Sequence, residues 1–139
     1  MALAVTEAEL AALLRDVEFT RTYGFALHAI GDGTCVLDVP FRKAFERPGG
    51  IVSGQVFMAA ADVAMWLAIM TRLGRQDLSV TAELSTAFLG AAREEPFRCT
   101  ARVLRLGRRL IYGVAESAAG DGRLLAHHTI TYIRPGPAD

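Results

Sequence analysis

The chain of 139 residues predicts an α+β fold in which a curved antiparallel sheet wraps a long central helix. Three observations predict it. The stretch from Val56 to about Arg72 is rich in Ala and Met, contains no Gly or Pro, and is apolar nearly all round, so it must be covered on most sides. About six other segments carry strand-like apolar patterning. Turn residues separate several of them by only a few positions, which suits antiparallel pairing.

The elements follow in order. Thr6 and Glu9 form a capping box for a first helix over about residues 6–18, with Leu10, Leu13, Leu14 and Val17 along one face. Phe25–Ile30 reads as a strand, Gly31-Asp32-Gly33 as a turn, and Thr34–Val39 as a second strand. Residues 40–50 form a loop ending in paired glycines. Ser53 suits the N-cap of the long helix, with Gly54 and Gln55 in its first turn, and Gly74 ends it. Four strands follow: Leu78–Leu89, Phe97–Leu106, Leu110–Ala118 and Leu124–Ile133. Leu106-Gly-Arg-Arg109 and Ala119-Gly-Asp-Gly122 join the last three. In the final strand Leu125, His127, Thr129 and Thr131 share one face, and Ala126, His128, Ile130 and Tyr132 the other. No inner linker is visible, so residues 1–139 form one domain, with a disordered tail over about 135–139.

Composition excludes several function classes. Apolar residues make up 52% and charged residues 22%, which argues against a disordered chain. Fifteen basic residues balance fifteen acidic ones, so the net basic surface of a sequence-independent nucleic-acid binder is absent, and near-neutrality favours self-association. Cys35 and Cys99 are too few for a disulfide framework and read as reduced thiols. The N-terminal run has no basic leader and carries Glu7 and Glu9 early, which argues against a secretory signal and for a cytoplasmic protein. Ile51–Met70 is long enough to span a bilayer, but it contains Ser53, Gln55 and Asp62. A central Asp costs roughly 2.5–3.5 kcal/mol on insertion, so the stretch reads as a buried helix and no membrane is expected.

The run Pro48-Gly-Gly-Ile-Val-Ser53-Gly54-Gln55, continued through Asp62, resembles the signature of the PaaI-like acyl-CoA thioesterases, a family of hotdog fold. That signature is Asn-x-x-Gly-x-x-His-Gly-Gly, followed by a helix carrying an Asp. Gly50 falls on the first Gly, Gly54 on the first of the pair, and Asp62 on the helix carboxylate. Thr81–Leu89, Val103–Arg109 and Ala126–Tyr132 resemble the family's later strands, and the similarity covers about residues 20–134. Arg47, Ser53 and Gln55 replace the usual Asn, His and second Gly.

The resemblance implies hydrolysis of an acyl-CoA thioester. Amides at Gly54 or Gln55, at the positive end of the helix, would polarise the carbonyl. Asp62 would act as general base or nucleophile, and Thr81 would position water. Asp62 has only Met58, Ala59, Met65 and Trp66 one turn away, so any partner comes from elsewhere in the fold. The alternative to catalysis is a structural carboxylate bonded to backbone or to an Arg across an interface. Gly54 and Asp62 are eight residues apart, about 12 Å along a helix, and cannot meet one thioester carbon from a single chain. A two-fold dimer with shared sites follows, extended to a dimer of dimers.

Arg47, Arg108 and Arg109 are candidates for the phosphates of CoA, with Ser53 beside them, and Met58 and Trp66 for the acyl group; Phe57 and Met65 point the same way. His28, His127 and His128 show no metal-ligand spacing, so no metal is expected, nor any cofactor beyond the CoA of the substrate. Two other readings stand beside the thioesterase. One is a non-catalytic acyl-binding module, suggested by the replaced Asn and His. The other, a dehydratase or hydratase, lacks a suitable His in the loop or on the central helix.

Overall fold

The computed structural model describes residues 2–136. Its centre is α3 (Gly54–Leu73), the long apolar helix. Six strands make one sheet around it: β1 (Ala26–Gly31), β2 (Thr34–Val39), β5 (Val80–Phe88), β6 (Phe97–Leu106), β7 (Leu110–Ala119) and β8 (Leu124–Ile133). Their order is β1-β2-β6-β7-β8-β5, with every neighbouring pair antiparallel. The predicted sheet-around-helix architecture is the observed one. The helix long and apolar enough to cross a membrane is this core helix, with twelve of its residues buried.

Alternation builds the core. Along β6, Phe97, Cys99, Ala101 and Val103 face α3, while Arg98, Thr100 and Arg102 face out. On β8 the face holding Ala126, His128, Ile130 and Tyr132 is the inner one: all four are buried. Gly113 in β7 serves a close approach. A Cβ there would lie 2.4 Å from Met65 Cε and 2.6 Å from the Arg102 carbonyl oxygen, so its absence lets α3 settle on the sheet.

Three local expectations are corrected. The first helix is two helices, α1 (Glu7–Asp16) and α2 (Glu18–Tyr23). Val17 between them is extended, and the buried Thr20 hydroxyl donates to the carbonyls of Leu14 (2.7 Å) and Val17 (3.0 Å), fixing the bend. The loop 40–50 contains a 3₁₀ turn at Lys43–Phe45 and strand β3 (Glu46–Arg47), which pairs with β4 (Ile51–Val52). That ribbon delivers the chain to α3, where Ser53 N–H donates to the Phe45 carbonyl. The strand expected from Leu78 begins at Val80, because the Asp77 carboxylate binds the Ser79 amide and hydroxyl and holds 77–79 in a turn. Of the expected tail, Gly136 lies against the Arg109 guanidinium, and residues 137–139 lie outside the described residues.

Candidate functional site

Asp62 sits half-buried on the flank of α3 that faces the edge strand β5. Two hydroxyls meet it. Thr81 on β5 and Tyr132 on β8 are direct cross-strand partners with both side chains on the inner face. Thr81 Oγ1 donates to Asp62 Oδ1 at 2.6 Å, and Tyr132 OH donates to the same oxygen at 2.8 Å. The Tyr132 hydroxyl also lies 2.9 Å from the Asp62 carbonyl. Among the described residues nothing bonds Oδ2, so one carboxylate oxygen is anchored and the other is free. Burial, helped by the charge of Asp62, pushes the Tyr132 phenol well above its ordinary pKa, which keeps it a donor. The partner that the sequence around Asp62 lacks is thus a pair of hydroxyls.

A groove of about 480 Å³ opens beside this carboxylate, lined by Phe19, Val63, Trp66, Leu78 and Val80 together with the three polar residues, Asp77 and Ser79. A larger concavity of about 920 Å³ lies over the strands β1, β2, β6 and β7, lined by outward residues such as Asp38, Arg98 and Glu116. It holds none of the expected catalytic residues, and Arg98 there is already paired with Asp38 at 2.7 Å.

At the other end of this flank is the start of α3. Ser53 occupies the N-cap without capping by its side chain; its hydroxyl instead donates to the Gln55 side-chain oxygen. Among the described residues the amides of Gly54 and Gln55 have no acceptor, so two donors stand free at the positive end of the helix dipole. The ring of Phe88, at the end of β5, covers the Cα of Gly54: an added Cβ would sit 3.0 Å from Cε1 and Cζ. Arg47, Ser53 and Gln55 line a second groove here, with Arg42.

Asp62, Thr81 and Trp66 therefore come together, and Gly54, Ser53, Gln55 and Arg47 form a separate group. Arg108 and Arg109 are exposed on the β6–β7 turn, far along the sheet from the helix start, and Met58 is partly exposed on α3. Phe57 and Met65 are buried core residues, so the pocket role expected of them falls to others. Sequence reasoning missed Tyr132, Phe19, Leu78 and Val80 as site residues. The face that Tyr132 shares with Ala126, His128 and Ile130 was the available signal for the first; the second depends on the bend at Val17, which no motif announces.

Comparison with known proteins points the same way. The family model described as the thioesterase superfamily matches residues 49–126. A protein of Saccharolobus solfataricus named "Putative esterase" is 34% identical over 126 residues, covering 91% of this chain and 83% of its own. A second protein of that name from the same organism is 35% identical over 92 residues, 66% of this chain; the match spans 65% of that protein's length. A solved structure described as a thioesterase, also qualified "putative", from Silicibacter sp. superposes with a TM-score of 0.87 at 30% identity, covering 98% of this chain and 96% of its own. The PaaI protein of the E. coli phenylacetic acid degradation operon superposes at 0.83 with 16% identity over 95% of this chain and 96% of its own, a likeness of fold alone.

Proposed function

Because the chain belongs to the thioesterase superfamily, and so to the hydrolases, we propose that it hydrolyses the thioester of a small or medium, apolar or aromatic acyl-CoA. The carrying observation is the asymmetry of Asp62, with Oδ1 anchored by two hydroxyls and Oδ2 free beside an apolar groove. Oδ2 takes a proton from water as that water attacks the carbonyl, or itself attacks the carbonyl to form an anhydride that water then cleaves. The free amides at Gly54 and Gln55 hold the oxyanion. The C–S bond breaks, the sulfur takes the proton, and CoA thiol and free acid leave.

The two halves of this chemistry lie about 12 Å apart on one helix, so the proposal includes a two-fold dimer. β5 is one of the sheet's two edge strands, β1 being the other, and it carries Thr81 beside Asp62 near one end and Phe88 over Gly54 at the other. Antiparallel pairing of β5 with its copy would bring Thr81 opposite Phe88 of the partner subunit, and Asp62 toward Gly54 of the partner subunit. Val80, Phe88 and Leu89 are more than half exposed on this edge, as an uncovered interface would be. Pairing of two such dimers, a cytosolic location, and CoA phosphates bound by Arg47, Arg108 and Arg109 complete the proposal.

A second reading, an acyl-binding module without turnover, draws on Ser53 and Gln55, whose side chains bond each other where the family has a His. Thiol release from a panel of acyl-CoAs separates the two. Wild type should release thiol, and Asp62→Asn should lower kcat by about a hundredfold or more; equal, near-background release by both would sink the hydrolase. The protein's own thiols stay silent in this assay. Cys35 and Cys99 are buried, and burial pushes the Cys99 thiol up to about 12.

A further inference from the structure

The groove beside Asp62 takes part of its wall from α2 and the 77–79 turn, which carry none of the catalytic residues, and its lining is out of character for a surface. Phe19 is 52% exposed, Leu78 73% and Val80 62%, yet all three converge with Val63 and the half-buried Trp66 on one concavity. Apolar side chains clustered in a concavity mark a ligand site rather than ordinary surface scatter. Its inner limit is the polar set Asp62, Thr81 and Tyr132. Its outer limit, past Leu78, is the shallow site lined by Gln76, Asp77 and Arg134.

We propose that this groove receives the acyl group, and that Phe19 of α2, with Trp66, sets which acyl groups are accepted. The inference rests on the thioesterase reading and adds the subsite to it. The ligand is a compact apolar acyl group of about six carbons, straight or cyclic. The apolar lining gives it a surface to pack on, while a chain of sixteen carbons would have to run out over Asp77 and Arg134 and lose that burial. Phe19 reaches the groove only because the chain bends at Val17 and restarts as α2.

Trp66 is the single tryptophan of the chain, so its emission reports on the groove directly. Asp62→Asn protein, which should not turn over, is titrated with hexanoyl-CoA, palmitoyl-CoA and free CoA. Hexanoyl-CoA should change Trp66 emission, and free CoA should not. Phe19→Ala, at an exposed position that leaves the core intact, should weaken hexanoyl-CoA binding about tenfold and leave free CoA unaffected. With Asp62 intact, Phe19→Ala should lower kcat/KM for hexanoyl-CoA through KM, and should lower it several-fold more than for acetyl-CoA, whose acyl group is too short to fill the groove.

No response of Trp66 to hexanoyl-CoA, palmitoyl-CoA bound as tightly, or an unchanged profile in Phe19→Ala overturns the groove. Failure of the hydrolase reading looks different: no wild-type turnover, with Phe19-dependent binding of hexanoyl-CoA intact. Turnover that depends on Asp62 but is blind to Phe19 leaves the hydrolase standing and removes the groove.

Discussion

Tyr132 and Thr81 both donate to one oxygen of Asp62, and among the described residues the other accepts nothing. Removing either hydroxyl lets the carboxylate rotate and leaves an unmatched polar group. Tyr132→Phe and Thr81→Ala should each lower kcat by roughly tenfold to a hundredfold with KM little changed, since neither touches the CoA end. A KM effect without a kcat effect would instead make them binding residues. His128 makes a different prediction. It is fully buried beneath the sheet face, its Nδ1 meets Thr86 Oγ1 at 2.7 Å, and Nε2 has no partner among the described residues. Burial first, and the neighbouring His127 second, hold its pKa down at about 4, against 6.5 for the free side chain. As pH falls below 6.5 the unfolded chain takes up the proton before the folded one does, so stability present at neutral pH is lost between 6.5 and about 4. The loss through this group is roughly 3 kcal/mol. Urea midpoints at pH 7.5 and 4.5 should show a large drop in wild type and a smaller one in His128→Gln; parallel drops would assign the acid sensitivity elsewhere.

Among the elements, α3 was the most legible, because a helix apolar on every side has only one kind of place in a small protein. Its seating on the sheet was not. It depends on Gly113, which the pattern of β7 treats as just another inward position, and which carries the closest approach of helix to sheet. Met65 can bend away from an added methyl, but the Arg102 carbonyl at 2.6 Å cannot. Gly113→Ala should therefore cost about 1–3 kcal/mol in urea unfolding, and a variant as stable as wild type would show that the strand yields. The candidate site divides along the same line. Asp62, Gly54 and Thr81 were legible because spacing and family resemblance mark them. Phe19 was not, because periodicity in 6–18 reads straight through Val17, and the hydroxyl of Thr20 that stops it acts through hydrogen bonds to carbonyls three and six residues back. Tyr132 was legible as sharing a face with Ala126, His128 and Ile130 but not as a partner of Asp62, since the register of β5 against β8 joins positions 51 residues apart in the chain.

The whole molecule carries the strongest test, since a site shared between subunits makes a demand that no single-chain site makes. Each dimer would hold two sites, each built from Asp62 of one subunit and Gly54 of the partner subunit. Asp62→Asn removes the carboxylate. Gly54→Val places bulk against the Phe88 ring, 3.0 Å from where its Cβ must go, and closes the helix start. Each homodimer should be nearly inactive while folding normally by circular dichroism. Mixed and reassembled, the two variants form heterodimers in which one site carries both defects and the other carries none. At equal amounts, random pairing gives half heterodimers, so activity should recover to about a quarter of wild type. Light scattering should find the same oligomer before and after mixing. A mixture that stays inactive although heterodimers form would place Gly54 and Asp62 in separate roles within each chain. The edge strand β5 would then have to be explained as an interface for something other than catalysis, because its exposed Phe88 and Leu89 would still need a cover.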